Sequence, residues 1–381
     1  MIDLDLPQSD KQSDACHPRE TLELFGQNLA EKRFLNAFNN NNLHHAWLIS
    51  GSSGIGKATL AWRIAKFLFV NQSNNSNELF KEDTLASSLD TDHSHPVNPR
   101  LRALSEPNLF LLRRLYDEEK KRFRSNITVD QVRKLNHFFA LSSTDSKRRV
   151  VIIDSVDDLN NNSANALLKS LEEPPKDCLF LLISHQPAAL LPTIKSRCIE
   201  LRCQKLSSEN MYKALNTSNI DADTLSDGLI NLSDGSVGNA IRLSNYNALS
   251  IYKSIVEIVE TFPNLNGNLA IALSEQASKK GDDQILNIIV ELIELVISRL
   301  AYSGLGKLTE ELIQNEKIIL NSVSNTEKHA KSWADLVGKL RKKINYAITV
   351  NIDPGTLILD TLFTMNQTSQ QLRLRNSTWQ R

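Results

Sequence analysis

The chain has 381 residues, and its 44 lysine and arginine residues balance 44 aspartate and glutamate residues. This length predicts two or three domains, and the neutral charge argues against a uniformly basic nucleic-acid-binding protein. Residues 1–20 are polar, so we expect them to be disordered, and no apolar run suggests a signal peptide or a membrane span. The cysteines lack ligand-like spacing, which predicts free thiols in a cytoplasmic protein. They are Cys16, Cys178, Cys198 and Cys203.

The N-terminal half alternates between amphipathic segments and short apolar runs, the pattern of an α/β domain with a parallel sheet. We predict helices over residues 27–39, 60–69 and 128–139. We predict buried strands over residues 46–49, 109–112, 150–153, 179–183 and 199–201. Residues 71–108 are polar and rich in turn-forming residues, which predicts a long loop or a poorly ordered insertion. The first domain then spans residues 21–203.

Beyond residue 203 the periodicity is helical only. Residues 204–247 contain short amphipathic segments, which predict a small three-helix domain. Residues 248–381 contain longer ones, and the run 285–302 has a wider apolar stripe than a monomeric surface helix needs. We therefore predict a helical oligomerisation domain whose apolar stripe packs against other chains. Pro354 marks the first turn of a last helix.

A glycine-rich segment follows the first predicted strand and precedes a helix, as the phosphate-binding loop GxxxxGK requires. Its residues are Gly51, Gly54, Gly56 and Lys57. The next position normally carries a serine or threonine whose hydroxyl binds the magnesium ion of a nucleotide. Here it is Ala58, and Thr59 comes one residue too late. Two interpretations stay open: a loop that binds nucleotide, and a loop that is kept for structure.

The apolar run 150–153 ends in Asp154, as a strand buried on both faces would. Ser155 follows and cannot act as a base near neutral pH. Asp157 and Asp158 lie beyond the strand end, and we interpret them as a solvated turn.

The next segment reads SANALLKSLEEPP and is followed, after the strand 179–183, by SRC. Asn162 or Ser163 is suited to cap a helix here, and Pro174 ends it. The SRC residues are Ser196, Arg197 and Cys198. A strand ending in aspartate, this helix and this SRC turn together resemble the AAA+ clamp-loader family.

The resemblance implies a P-loop AAA+ domain, a small helical lid domain over residues 204–247 and an all-α collar domain over residues 248–381. It makes Asp154 the acid that organises magnesium, and it places Ser155 where ATPases of this family carry a water-activating glutamate. Ser184 and His185 lie where the family senses the terminal phosphate. In the lid, Gly238 stands where the family often has an arginine, and Arg242 lies at the wrong spacing to replace it.

Arg197 resembles the arginine finger that clamp-loader subunits insert into the nucleotide site of a neighbour, where such a group is typically worth about 10³–10⁵ in rate. The alternative is a surface arginine that pairs with a nearby acid. The chain thus lacks groups that its own site needs but keeps the group that acts on a neighbour's site. The resemblance implies a non-hydrolysing subunit that supplies this finger in trans while a sliding clamp is loaded in DNA replication.

The implied partners are ATPase subunits of the gamma/tau type, a delta-type subunit and, through the complex, the sliding clamp and primed DNA, without a membrane. No intrinsic ATPase activity is expected, although the chain would belong to a DNA-directed DNA polymerase (nucleotidyltransferase) holoenzyme. No cofactor is required, and whether the degenerate site binds ATP or ADP stays open. Residues 71–108 lack the cysteines of the family's zinc module, so no zinc is expected. The alternative, favoured by Lys57 and Asp154, is an active ATPase motor subunit of the same family.

Overall fold

The computed structural model describes residues 6–13, 15–74, 85–140, 148–218, 226–279, 283–307, 310–350 and 352–377. The chain forms two compact units. The first comprises Met1–Ala222 and Asp234–Ile241, and the second comprises Asp223–Ser233 and Arg242–Arg381. The finer division at residues 203 and 247 stays a prediction.

A five-stranded parallel sheet in the order β2-β5-β6-β1-β7 forms the centre of the first unit and confirms the predicted α/β fold. Its strands are β1 (Ala46–Ser50), β2 (Leu109–Arg113), β5 (Arg149–Asp154), β6 (Cys178–Ser184) and β7 (Ile199–Arg202). A short hairpin lies outside it, formed by β3 (Tyr116–Asp117) and β4 (Arg122–Phe123). Every residue of β1 and β6 is buried, because helices cover both faces of a parallel sheet. The carboxyl ends of β1, β5 and β6 therefore meet at one edge.

Helices of the first unit fall close to the predicted positions. They are α1 (Asn28–Asn39), α2 (Lys57–Asn74), α3 (Val97–Arg102), α4 (Val129–Ala140), α5 (Asn161–Glu172), α6 (Pro192–Lys195), α7 (Ser208–Asn216) and α9 (Val237–Asn245). The segment predicted as a long loop contains α3, which buries Val97 and Leu101. Helix α5 is capped two or three residues earlier than predicted, because Asn160 is extended and its side chain accepts a hydrogen bond from the backbone N–H of Ser163 at 2.9 Å.

The N-terminal segment differs from the expected disorder. Residues 6–13 and 15–20 are placed, and His17 and Arg19 are buried. Gln8 accepts hydrogen bonds from Arg19 and Arg113, and Asp10 pairs with Arg113. The prediction from polar composition was wrong because these side chains form hydrogen bonds and ion pairs with one another and with the end of β2 instead of with water.

The second unit is all-helical. Its helices are α8 (Asp227–Leu232), α10 (Ala248–Glu260), α11 (Gly267–Ala277), α12 (Asp283–Gly304), α13 (Glu316–Val323), α14 (Glu327–Thr349) and α15 (Pro354–Ser377). The structure corrects our interpretation of the apolar stripe on α12. Its residues, such as Ile288, Ile289 and Val296, are fully buried in the core of this same unit, since α10, α13 and α14 surround α12.

A buried ion pair lies within this helical core. Glu316 is fully buried and accepts hydrogen bonds from the Tyr252 hydroxyl, the Arg299 guanidinium and the backbone N–H of Leu312. Four donors on one carboxylate offset much of the cost of removing its charge from water. Among the described helices of the chain, none combines the length and hydropathy needed to cross a lipid bilayer.

Candidate functional site

The glycine-rich loop connects β1 to α2 at the carboxyl edge of the sheet. Lys57, the first residue of α2, is 3% exposed, and its ammonium donates hydrogen bonds to the carbonyl oxygens of Gly51 (2.8 Å) and Ser52. Burial lowers the pKa of Lys57 to about 8, and the nearby acids Asp154 and Asp157 oppose that shift. The loop thus has the form of a phosphate cradle whose lysine is folded onto the loop's own backbone.

The end of β5 presents one carboxylate and no second one directly after it. Asp154 is partly buried, and burial raises its pKa to about 7, with a further contribution from Asp10 and an opposing one from Lys57. Ser155 is 3% exposed and therefore sits inside the protein at the position where a water-activating acid would be needed.

Asp157 follows β5 and forms hydrogen bonds to residues at the end of β6, so it is not the solvated turn residue that we predicted. Its carboxylate accepts hydrogen bonds from the Ser184 hydroxyl at 2.8 Å and from the backbone N–H of His185. Asp158 is likewise paired, with Arg114 Nε 3.1 Å from its carboxylate. The Ser184 hydroxyl therefore donates its proton within the protein, at the place where the resemblance implies a phosphate-sensing residue.

His185 lies beside this group. Burial, together with the positive charge of Lys57, lowers the pKa of His185 to about 4. Its ring is therefore neutral near pH 7, and no role as a cationic phosphate ligand follows.

The turn before α9 packs directly on the glycine-rich loop within the first unit. The backbone N–H of Gly238 donates to the Gly54 carbonyl at 3.0 Å, and the Ser236 hydroxyl donates to the Ser53 carbonyl at 2.8 Å. A Cβ added at Gly238 would lie 2.9 Å from the Gly54 Cα, closer than such contacts allow. Position 238 therefore has no room for the arginine that the resemblance places there. Arg242 is engaged elsewhere, by an ion pair with Glu291.

A cavity of about 280 Å³ lies over this edge of the sheet. Its walls include the loop residues Ser53–Thr59, the side chains of Asp154 and His185, the start of α9 and the N-terminal segment from Ser9 to Pro18. The cavity approaches the usual size of a small-molecule site. The predicted residues Gly54, Gly56, Lys57 and Asp154 are thus brought together, and Ala58 lines the cavity without an oxygen to offer a cation.

Arg197 lies apart from these residues, after the short helix α6. It is partly exposed, and its guanidinium pairs with Glu172 at 2.8 Å and donates to the Thr193 carbonyl at 2.9 Å. The Ser196 hydroxyl also donates to that carbonyl, at 3.1 Å. Burial raises the pKa of the Cys198 thiol to about 12, so it stays protonated. Of the three SRC residues, Arg197 alone offers a charged group near the surface.

The raised pKa of Asp154 predicts how the stability of the protein depends on pH. A carboxyl group whose pKa rises from 3.8 to about 7 on folding binds more protons in the folded than in the unfolded state, so stability falls as the pH rises through that interval. We expect Asp154→Asn to weaken this dependence and to raise the melting temperature at about pH 8 relative to the unsubstituted protein. Thermal unfolding at about pH 5 and about pH 8 measures this pH dependence, and the control is Asp335→Asn, which changes an exposed aspartate. Equal pH dependence in all three proteins would contradict the prediction.

Comparison with known proteins adds an independent finding. Residues 26–207 match the family model described as DNA polymerase III, delta subunit. DNA polymerase III subunit delta' of Pseudomonas aeruginosa is 39% identical over 159 residues, which cover 42% of this chain and 43% of that protein. The same-named subunit of Bacillus subtilis is 27% identical over 249 residues, covering 64% of this chain and 68% of that protein. The chain thus spans less than half of the Pseudomonas relative.

Gamma-type subunits are similar as well. DNA polymerase III subunit gamma of Buchnera aphidicola subsp. Schizaphis graminum is 28% identical over 276 residues, 69% of each chain. Among solved structures, a gamma-subunit-related protein of Thermotoga maritima superposes with a TM-score of 0.35 at 16% identity, covering 88% of this chain and 99% of that one. The Thermotoga RuvB motor gives a TM-score of 0.37 at 17% identity, over 82% and 90%. In the order of its motifs and over residues 26–207, the chain is therefore similar to the delta' and gamma subunits of DNA polymerase III.

Proposed function

We propose that this chain is a delta'-type clamp-loader subunit that does not hydrolyse ATP and that supplies Arg197 in trans to the site of a neighbouring ATPase subunit. The observation that carries the proposal is the end of β5, where Asp154 is followed by the buried Ser155. Position 155 therefore lacks the carboxylate that the resemblance assigns to the activation of water beside the glycine-rich loop.

Two further features support the absence of turnover. Ala58 has no hydroxyl for a magnesium ion, and the Ser184 hydroxyl is bound by Asp157. A hydrolytic site must stabilise charge that develops on the transferred phosphoryl group, and metal ions and preorganised donors supply that stabilisation. Here the metal ligand is missing and the donor is occupied.

Arg197 meets the requirements of a group that acts on another chain. Its guanidinium is partly exposed, and its pairing acid Glu172 is exposed by 47%. An ion pair between groups this accessible is worth at most about 1 kcal/mol, so exchanging Glu172 for a developing phosphoryl charge costs little. The planar guanidinium is suited to phosphate oxygens because it offers two parallel donors.

The alternative is an active motor subunit of the same family. Lys57 and Asp154 favour it, since both line the cavity, and so does the similarity to gamma-type relatives. Turnover by the isolated chain distinguishes the two functions, because only the motor would carry its own hydrolytic site.

The partners proposed are gamma/tau-type ATPase subunits and a delta-type subunit, with the sliding clamp and primed DNA reached through the complex. A role in replication would place the chain in the cytoplasm. No cofactor is needed for the proposed role, and the binding of ATP or ADP beside Lys57 without hydrolysis stays open. Exposed apolar side chains of the second unit, such as Ile318, Tyr346 and Phe363, offer contacts for assembly in place of the buried stripe on α12.

We expect the purified chain to release no phosphate from ATP and magnesium above the background of a mock preparation, because Ala58 and Ser155 cannot supply the metal ligand and the base. Phosphate release is measured with the unsubstituted chain and with Lys57→Ala. Turnover at the rate of a motor protein that Lys57→Ala abolishes would refute the non-hydrolysing function and favour the alternative.

A further inference from the structure

The N-terminal segment provides one wall of the cavity over the sheet edge. We call its residues 8–19 the strap, of which residue 14 lies outside the described part of the chain. Ser9, Asp10, Lys11, Gln12 and Cys16 line the same cavity as Lys57 and Asp154. Ligands of parallel α/β sheets bind beyond the carboxyl ends of the strands, so the strap crosses the region that a ligand would use.

Three polar contacts hold the strap to the end of β2, and a fourth, between Arg19 and Gln8, lies within the strap. Arg113, which is 9% exposed, donates to the Gln8 side-chain oxygen at 2.8 Å and pairs with Asp10. The Ser9 hydroxyl donates to the Arg114 carbonyl at 3.0 Å, and Arg19 donates to the same Gln8 oxygen at 2.9 Å. This strap is therefore fixed by specific hydrogen bonds at the edge where Asp154 also ends its strand.

Asp10 is the charged centre of these contacts. Its side chain has no exposed surface, and one of its oxygens has no hydrogen-bond partner, with His17 Nε2 lying 3.4 Å away. Arg113 and Asp154 are register partners in the pairing of β2 with β5. Because Asp10 pairs with Arg113, the carboxylates of Asp10 and Asp154 lie at neighbouring positions. Their mutual repulsion contributes to the raised pKa of Asp154. Asp10 thus places a fixed carboxylate in the wall of a cavity whose loop is built for anions.

We propose that Asp10 determines the ligand specificity of this cavity: its carboxylate binds Arg113 as an anionic ligand would, and it selects against the more highly charged nucleoside triphosphate in favour of a nucleoside diphosphate. This inference rests on the proposed function and deepens it, because it makes the cavity a nucleotide site without turnover. A fixed carboxylate in a site of reduced dielectric repels each additional phosphate charge. Neutralising it removes that repulsion and also releases the Arg113 guanidinium.

The test is calorimetric binding of ADP and of ATP, each without magnesium, to the full-length chain. We expect Asp10→Asn to tighten ATP binding about tenfold and ADP binding by a smaller factor, because the triphosphate carries more charge. Arg113→Gln, which leaves Asp10 uncompensated, should shift the ratio of the two affinities the opposite way. Glu20→Gln is the matched control: it removes one carboxylate next to the strap, but one that is 47% exposed, and should change both affinities by less than about twofold.

Equal changes for ATP and ADP in Asp10→Asn, or no change in either substituted protein, would overturn the inference. Thermal unfolding of every variant verifies that the fold is kept, and Arg113→Gln tests the opposite sign if Asp10→Asn fails to fold. Absence of any binding by the unsubstituted chain and by Asp10→Asn would also overturn it. That result would leave the trans-acting role of Arg197 standing, since ATP hydrolysis by the assembled complex measures that role separately.

Discussion

Replacing Arg197 with alanine should lower ATP hydrolysis at the one neighbouring site that it faces by about 10³–10⁵-fold. In free energy this is about 4–7 kcal/mol of transition-state stabilisation, because the lost guanidinium would no longer meet the charge that develops on the phosphoryl group. Turnover of the whole complex should fall by less, because under the proposal the other sites have fingers of their own. The measurement is DNA- and clamp-stimulated hydrolysis by the reconstituted complex, with assembly measured separately by gel filtration.

Three further substitutions separate the finger from a simple surface charge. Arg197→Lys should remain defective, since a point charge does not reproduce the planar fork of the guanidinium. Glu172→Gln should preserve hydrolysis, because it removes only the exposed partner of Arg197. Arg133→Ala removes an arginine from the exposed face of α4 and should have no effect. An Arg197→Ala complex that assembles, hydrolyses ATP and loads clamps at the unsubstituted rate would show that Arg197 has no trans-acting role.

Replacing Arg299 with methionine should destabilise the helical unit by about 3–5 kcal/mol. Arg299 is the cation that compensates Glu316, whose carboxylate is fully buried between Tyr252 and the start of α13. Methionine keeps much of the packing volume but leaves the carboxylate without a positive charge, so the cost is that of an unpaired buried anion. Urea unfolding followed by circular dichroism measures it through the helical signal.

The same unit offers a matched control. Arg341 pairs with Glu294 at 2.8 Å, but its side chain is 63% exposed, so Arg341→Met should cost no more than about 1 kcal/mol. Losses of equal size in the two variants would contradict the distinction between the buried and the exposed ion pair.

Strands and long helices were predictable because their signal lies in contiguous residues. The apolar runs around Ile152 and Leu181 leave few alternatives to strands buried on both faces, and they form the centre of the sheet. Helix α3 was missed because it is short and its two buried residues, Val97 and Leu101, stand in a polar segment. The burial of α12 inside its own unit was missed for another reason: an apolar stripe does not reveal whether helices of the same chain or of another chain cover it.

For the candidate site, the sequence motifs located the loop, Asp154 and Arg197, but not the residues that surround and contact the site. Asp157 reaches Ser184 across 27 positions of sequence, and Gly238 contacts Gly54 from 184 positions away. Asp10 sits in a segment whose polar composition indicated disorder. Such contacts depend on the tertiary fold, and the sequence contains no local signal for them apart from the glycines themselves, which mark places where another backbone approaches closely.

If the chain does not hydrolyse ATP, as we propose, the contact between Gly54 and Gly238 would make that loss hard to reverse. Single substitutions are enough to restore a hydroxyl at position 58 or a carboxylate at position 155. An arginine at position 238 is different, because even its Cβ would collide with the Gly54 backbone at 2.9 Å. A stepwise route back to a motor would first require the loop and the start of α9 to separate, and every intermediate on that route would lose the hydrogen bond between them without gaining a catalyst.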